Sequence, residues 1–169
     1  LVIQHPVTLE EKEATKQIEE TLKAIKKKKL QAAVIYPNAD AGNEGIINMI
    51  KSYEDGLIKA YKNIDHTTYL SLMKHVDIML GNSSSGIIES GSFNLPVINI
   101  GTRQGHRERG SNVLNSDYDC DMIAEKIEEG LSMDIHSKNI YGDGHAADRI
   151  LKYLDGLKID RRLLQKEMA

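Results

Sequence analysis

The sequence predicts an α/β fold built on a doubly wound parallel sheet. Two observations carry this reading. Short apolar, β-branched runs alternate along the chain with segments of helical period. Residues 76–80 are also continuously apolar but for one acid, as suits a strand covered on both faces. With 169 residues, 40% hydrophobic and 28% charged, the chain has the profile of one domain with its own core.

The elements follow in order. Residues 1–3 give the first strand, and a helix is expected over residues 9–29. Thr8 precedes Glu11 by the spacing of a capping box, and Ala14, Ile18, Leu22 and Ile25 share one helix face. Lys26, Lys27, Lys28 and Lys29 close the helix where cations complement its dipole, so this basic run is read as a solvated terminus. Residues 32–36 form the second strand, followed by the turn Pro37-Asn38-Ala39-Asp40-Ala41-Gly42. The next helix places Ile46, Ile50 and Tyr53 on one face, ahead of a third strand at residues 57–61. A short helix over residues 68–75 leads into the fourth strand at 76–80. After residues 81–86 a helix is expected over 87–93, then the fifth strand at 97–100. Residues 101–112 are a polar loop, Val113-Leu114 a short edge strand, and helices are expected near 122–131 and 146–154. Residues 1–155 are read as one domain and residues 156–169 as a tail or packing helix. The chain opens inside a strand with no polar lead-in, which points to a fragment of a longer protein.

Composition narrows the partners. The net charge of −3 lacks the basic field of a nucleic-acid binder, and no apolar run is long enough to span a bilayer. Cys120 is the one cysteine and has no intramolecular partner, so a reduced, cytoplasmic setting is expected. His66, His75, His106, His136 and His145 show no metal-ligand spacing with each other or with Cys120, so neither a metal nor another cofactor is expected.

In an open parallel sheet ligands bind beyond the carboxyl ends of the strands. Four segments fall there: His5-Pro6, Pro37-Asn38, residues 81–86, and Gly101-Thr102-Arg103. In Gly81-Asn82-Ser83-Ser84-Ser85-Gly86 the small residues admit a phosphate to the backbone, the hydroxyls donate, and the next helix presents free N–H groups. A plain helix cap would also use these residues. The segment matches neither the P-loop nor the Gly-x-Gly-x-x-Gly pattern. Glu89, one turn on, can accept ribose hydroxyls, and a guanidinium from Arg103, Arg107 or Arg109 can hold a diphosphate at two points. Which of the three arginines points inward is open. His5, held by the following proline, lies near the same edge.

Taken together, Gln4-His5-Pro6-Val7-Thr8, the 37–42 turn, residues 81–86 with Glu89, the run from Pro96 to Gln104, and Ile140-Tyr141-Gly142-Asp143-Gly144 resemble the hydrolysing UDP-N-acetylglucosamine 2-epimerases. The resemblance runs from residue 4 to residue 144. Non-hydrolysing relatives typically carry His-Arg-Arg-Glu-Asn and Thr-Asp-Ser-Gly-Gly where this chain has His5-Pro6-Val7-Thr8 and Asn82-Ser83-Ser84-Ser85-Gly86. It implies a Rossmann-like domain, the C-terminal half of a two-domain enzyme similar to the glycosyltransferase-B architecture, with an N-terminal catalytic domain outside this chain. Carried over by position, it implies that Ser83 and Ser84 bind the diphosphate, Glu89 the ribose, Arg103 the phosphate side, and the Ile64 backbone the uracil, with Tyr69 near the ring. Asn38 and His5 come near the sugar diphosphate, His5 in an assisting catalytic role.

The reaction implied is elimination of UDP to a glycal, then addition of water to release N-acetylmannosamine for sialic-acid or capsule synthesis. UDP and UDP-N-acetylglucosamine are the expected ligands, and a homo-oligomer is expected of the full-length enzyme. This half alone is expected to bind UDP weakly and turn over nothing. Two alternatives stay open: the related UDP-diacetylbacillosamine epimerase, and a non-catalytic nucleotide-sugar-binding domain. The non-basic Asn43-Glu44-Gly45 argues against feedback by CMP-sialic acid, which in the animal enzyme uses basic residues at this place.

Overall fold

The computed structural model describes residues 1–136 and 139–165. Its strands are β1 (Val2–Ile3), β2 (Ala32–Ile35), β3 (Ile58–Tyr61), β4 (Met79–Gly81), β5 (Val97–Ile100) and β6 (Val113–Ser116). They form one six-stranded sheet in the order β3-β2-β1-β4-β5-β6, with every pairing parallel. This is a doubly wound Rossmann order, and its direction reverses between β1 and β4, where crevices form.

Period-two alternation supplies both faces of the sheet. Val2, Val34, Leu80, Ile98 and Ile100 pack with α1 (Ala14–Lys27), α2 (Asn43–Tyr53) and α5 (Cys120–Leu131) through Ile18, Leu22, Ile46, Ile50, Ile123 and Ile127. Leu1, Ile3, Met79 and Val97 face the opposite layer, with Met73 from α3 (His66–His75) and Leu95. Burying each such side chain contributes roughly 1.5–3 kcal/mol.

Three local expectations are corrected. Thr8 forms no capping box: residues Thr8–Glu13 make a 3-10 turn whose N-cap, Val7, has no side-chain cap bond. Glu10 leaves helical geometry there (φ −119°, ψ 20°) and its carboxylate accepts bonds from Gln17 and Thr102 at 2.7 and 2.6 Å. The fourth strand begins at Met79 rather than residue 76, because Val76 serves as the cap of α3 and ladder pairing starts only at Met79, opposite Val97 of β5. The helix expected over 87–93 is instead α4 (Ser85–Ile88) followed by a 3-10 turn, Ser90–Phe93.

Near the chain end, α6 (Ala146–Asp155) buries no residue and exposes Ile150, Leu151, Tyr153 and Leu154. A short α7 spans Arg161–Leu164, and residues 166–169 of the expected tail lie outside the described residues. Among the described residues no helix is long and apolar enough to cross a membrane.

Candidate functional site

At the β1/β4 switch point the crevice is organised by Asn82, which is 1% exposed. Its side chain clasps the His5 backbone twice: Oδ1 accepts the His5 N–H at 2.7 Å and Nδ2 donates to the His5 carbonyl at 2.9 Å. Its own carbonyl accepts from Arg103 Nη1 at 3.2 Å and from Gln104 Nε2 at 2.9 Å. One residue after β4 therefore joins the loops that follow β1 and β5. A buried amide able to donate and accept at once suits this post.

Beyond Asn82 the chain enters α4. Its first helical-type bonds run from Gly86 N–H to the Ser83 carbonyl and from Ile87 N–H to the Ser84 carbonyl. The N–H groups of Ser83 and Ser84 precede this ladder, as expected of an anion-accepting helix start. Both serines are half-buried. Glu89 sits at the junction of α4 and the 3-10 turn and accepts from Ser85 Oγ at 2.5 Å, while Ser85 Oγ also meets the Tyr69 hydroxyl. Burial, above all, holds the Tyr69 phenol above its ordinary range.

The three arginines differ in their partners. Arg103 and Arg109 are both half-buried and Arg107 is exposed; Arg103 reaches the Asn82 carbonyl, whereas Arg109 turns to the Gln104 carbonyl at 2.8 Å. Arg103 is the one whose charge is felt at His5. Opposite it, His5 Nδ1 accepts the Asn38 N–H at 3.1 Å, which leaves the ring proton on Nε2. Asn38 also donates through Nδ2 to Asp40 at 2.5 Å. Ile64 lies half-buried between β3 and α3, at the same carboxyl edge. The fold thus brings His5, Asn38, Ser83, Ser84, Glu89, Arg103 and Ile64 to one edge of the sheet.

Sequence reasoning gave no separate part to Asn82, Gln104 or Ser85. The one available signal for Asn82 was its place, an amide directly after a buried strand and a glycine.

His5 is held below the ordinary histidine range, first by burial and then by the Arg103 charge, with the Asp40 charge and the Asn38 side chain offsetting part of this. The neutral ring is accordingly the folded-state form near neutrality. A depressed histidine contributes stability that is present above its unfolded value of about 6.5 and is lost as pH falls through the folded value. In an NMR titration His5 should ionise below 6.5, at a higher pH in Arg103→Ala and a lower pH in Asp40→Asn. Identical midpoints in all three proteins would refute the electrostatic coupling.

The family model for UDP-N-acetylglucosamine 2-epimerase matches residues 1–155. The chain belongs to this family. A UDP-N,N'-diacetylbacillosamine 2-epimerase (hydrolyzing) of Legionella pneumophila is 36% identical over 98% of this epimerase-family chain and 45% of its own length. A UDP-N-acetylglucosamine 2-epimerase of Neisseria meningitidis is 33% identical over 76% of the chain and 34% of its own length. The fold resembles the Methanocaldococcus jannaschii UDP-GlcNAc 2-epimerase crystallised with UDP-GlcNAc and UDP, with TM-score 0.71, 16% identity, and coverage of 91% of this chain and 44% of that one. This epimerase-family chain thus spans less than half the length of these relatives.

Proposed function

We propose that this chain is the UDP-binding half of a hydrolysing UDP-N-acetylglucosamine 2-epimerase, which converts UDP-N-acetylglucosamine and water to N-acetylmannosamine and UDP. The observation that carries this is the convergence of Arg103, His5 and the Ser83-Ser84 helix start around Asn82, a cationic, N–H-rich edge suited to a leaving diphosphate. In the first step a base outside this chain takes the proton from sugar C2, the C1–O bond breaks, and UDP leaves with the bonding pair. Water then adds its hydroxyl to C1 and a proton returns to C2 on the other face. What these residues supply is stabilisation of charge growing on the departing phosphate. With Nδ1 engaged by Asn38, His5 assists by donating from Nε2 rather than as a standing cation. Ser83 and Ser84 take the diphosphate, Glu89 the ribose, Asn38 the sugar diphosphate and the Ile64 backbone the base.

A second reading, hydrolysis of UDP-N,N'-diacetylbacillosamine, is favoured by the name of the Legionella relative, which covers nearly the whole chain. Turnover of each sugar nucleotide by the full-length protein separates the two. Turnover of neither would leave a nucleotide-binding module without chemistry.

The UDP site is tested on the chain itself by calorimetry. Losing charge-assisted bonds of about 1.5–3 kcal/mol should weaken UDP binding roughly 10- to 100-fold in Arg103→Ala, and about tenfold in Glu89→Ala. Unchanged affinity in both variants would overturn the site.

A further inference from the structure

Tyr69, Ser85 and Glu89 form a hydrogen-bonded line in which the direction of each proton is fixed by chemistry. A carboxylate only accepts, so the single proton of Ser85 Oγ goes to Glu89 Oε2, 2.5 Å away. Ser85 then has only acceptor capacity left, so the Tyr69 hydroxyl donates to it. Met73 Sδ, 3.5 Å from Ser85 Oγ, is consequently a packing neighbour and not the recipient of that proton. One oxygen of Glu89 is thereby tied down. Among the described residues, the other, Oε1, has no donor.

We propose that Tyr69 and Ser85 are positioning residues that hold the Glu89 carboxylate for the ribose hydroxyls and so set a preference for ribonucleotides over 2′-deoxyribonucleotides. This rests on the reading of Glu89 as the ribose ligand and deepens it. Three features support it. Glu89 stands where α4 gives way to a 3-10 turn, with no continuous helix to fix its side chain, and it lines a groove with Leu70, Ile88, Tyr141 and Gly142. Tyr69 reaches Ser85, and through it Glu89, from α3, whose first turn is capped by Asp65 directly after Ile64. The line therefore runs from the segment assigned to the base to the residue assigned to the ribose. Finally, burial favours the protonated phenol, which keeps Tyr69 a donor.

The test is calorimetry with UDP and with 2′-deoxy-UDP on the chain, on four single variants and on one double variant. The unmodified protein should prefer UDP about tenfold, the worth of one hydrogen bond to a charged group. Ser85→Ala and Tyr69→Phe should cut that preference to about two- or threefold by weakening UDP alone, whereas Ser85→Thr, which keeps the hydroxyl, should retain it. Adding Ser85→Ala to Glu89→Ala should cost nothing further, because both act through one carboxylate. Tyr69→Phe preserves the ring and serves as the probe if Ser85→Ala does not fold. Should Glu89→Ala weaken UDP while Ser85→Ala and Tyr69→Phe keep the full preference, the positioning role fails and the ribose assignment survives. Should Glu89→Ala leave UDP affinity unchanged, both fall.

Discussion

Gly81→Ala is expected to abolish cooperative folding, or to lower the melting temperature by at least about 10 °C, the largest effect of any single methyl added to this chain. A Cβ built on Gly81 lies 2.0 Å from the Ile3 carbonyl oxygen and 2.6 Å from its carbon. That oxygen accepts the Asn82 N–H at 3.1 Å in the β1/β4 ladder, so the obstacle is paired backbone that cannot swing aside. The φ of +124° adds strain of about 1–3 kcal/mol for any L side chain. Relieving the overlap means parting the two central strands. Together the cost should exceed about 4 kcal/mol, a large share of the 5–15 kcal/mol by which domains are stable. Gly101→Ala supplies the contrast: at φ +75° it carries similar backbone strain, but the atoms its Cβ would meet at 2.0 and 2.1 Å are the far end of the Tyr118 side chain rather than paired backbone. Thermal melts followed by circular dichroism should rank Gly81→Ala far below Gly101→Ala. A melt for Gly81→Ala within a few degrees of the parent would refute the close-approach account.

The legibility of this chain divides along physical lines. Sheet class and most strand positions were readable because burial on two faces imposes apolar runs, as at residues 78–80 and 97–100, and helical period marks α1 and α2. Boundaries misread were those decided by distant contacts. Thr8 and Glu11 have the spacing of a capping box, yet Glu10 is drawn to Thr102 across 92 positions, and no local pattern encodes that bond. Likewise α4 starts earlier and stops sooner than expected, a change of helix type that the run of small residues does not announce. Within the candidate site, residue types with obvious ligand chemistry, His5, Glu89 and Arg103, were visible in sequence. Their supports were not. Ser85 is indistinguishable in sequence from Ser83 and Ser84, and only the arrival of Tyr69 from another element sets it apart. The inward arginine was open in sequence because the carbonyl that engages Arg103 belongs to residue 82, 21 positions away.

Asn82→Ala is expected to destabilise the chain by about 2–4 kcal/mol, roughly 5–15 °C in melting temperature, and to weaken UDP although its side chain is assigned no ligand contact. Alanine leaves the His5 N–H and carbonyl without partners in a site that is 1% exposed at residue 82, and each unsatisfied group costs about 1–3 kcal/mol. The loss would travel to the ligand edge because Asn82 seats His5 with its side chain and Arg103 with its carbonyl. Asn82→Asp separates these effects by charge. The introduced carboxyl keeps the shape and can still accept the His5 N–H, but when ionised it turns a second acceptor onto the His5 carbonyl in a desolvated place. Its folded pKa should therefore be raised above the unfolded value of about 3.9. For an acid shifted upward the folded state holds the proton longer, so this variant is closest to the parent in acid below about 4 and loses stability as pH rises toward the folded value. Denaturant melts of the parent and Asn82→Asp across pH 4 to 8 should diverge with increasing pH. Parallel curves, or an Asn82→Ala protein that melts with the parent, would show that the clasp on His5 does not hold this edge together.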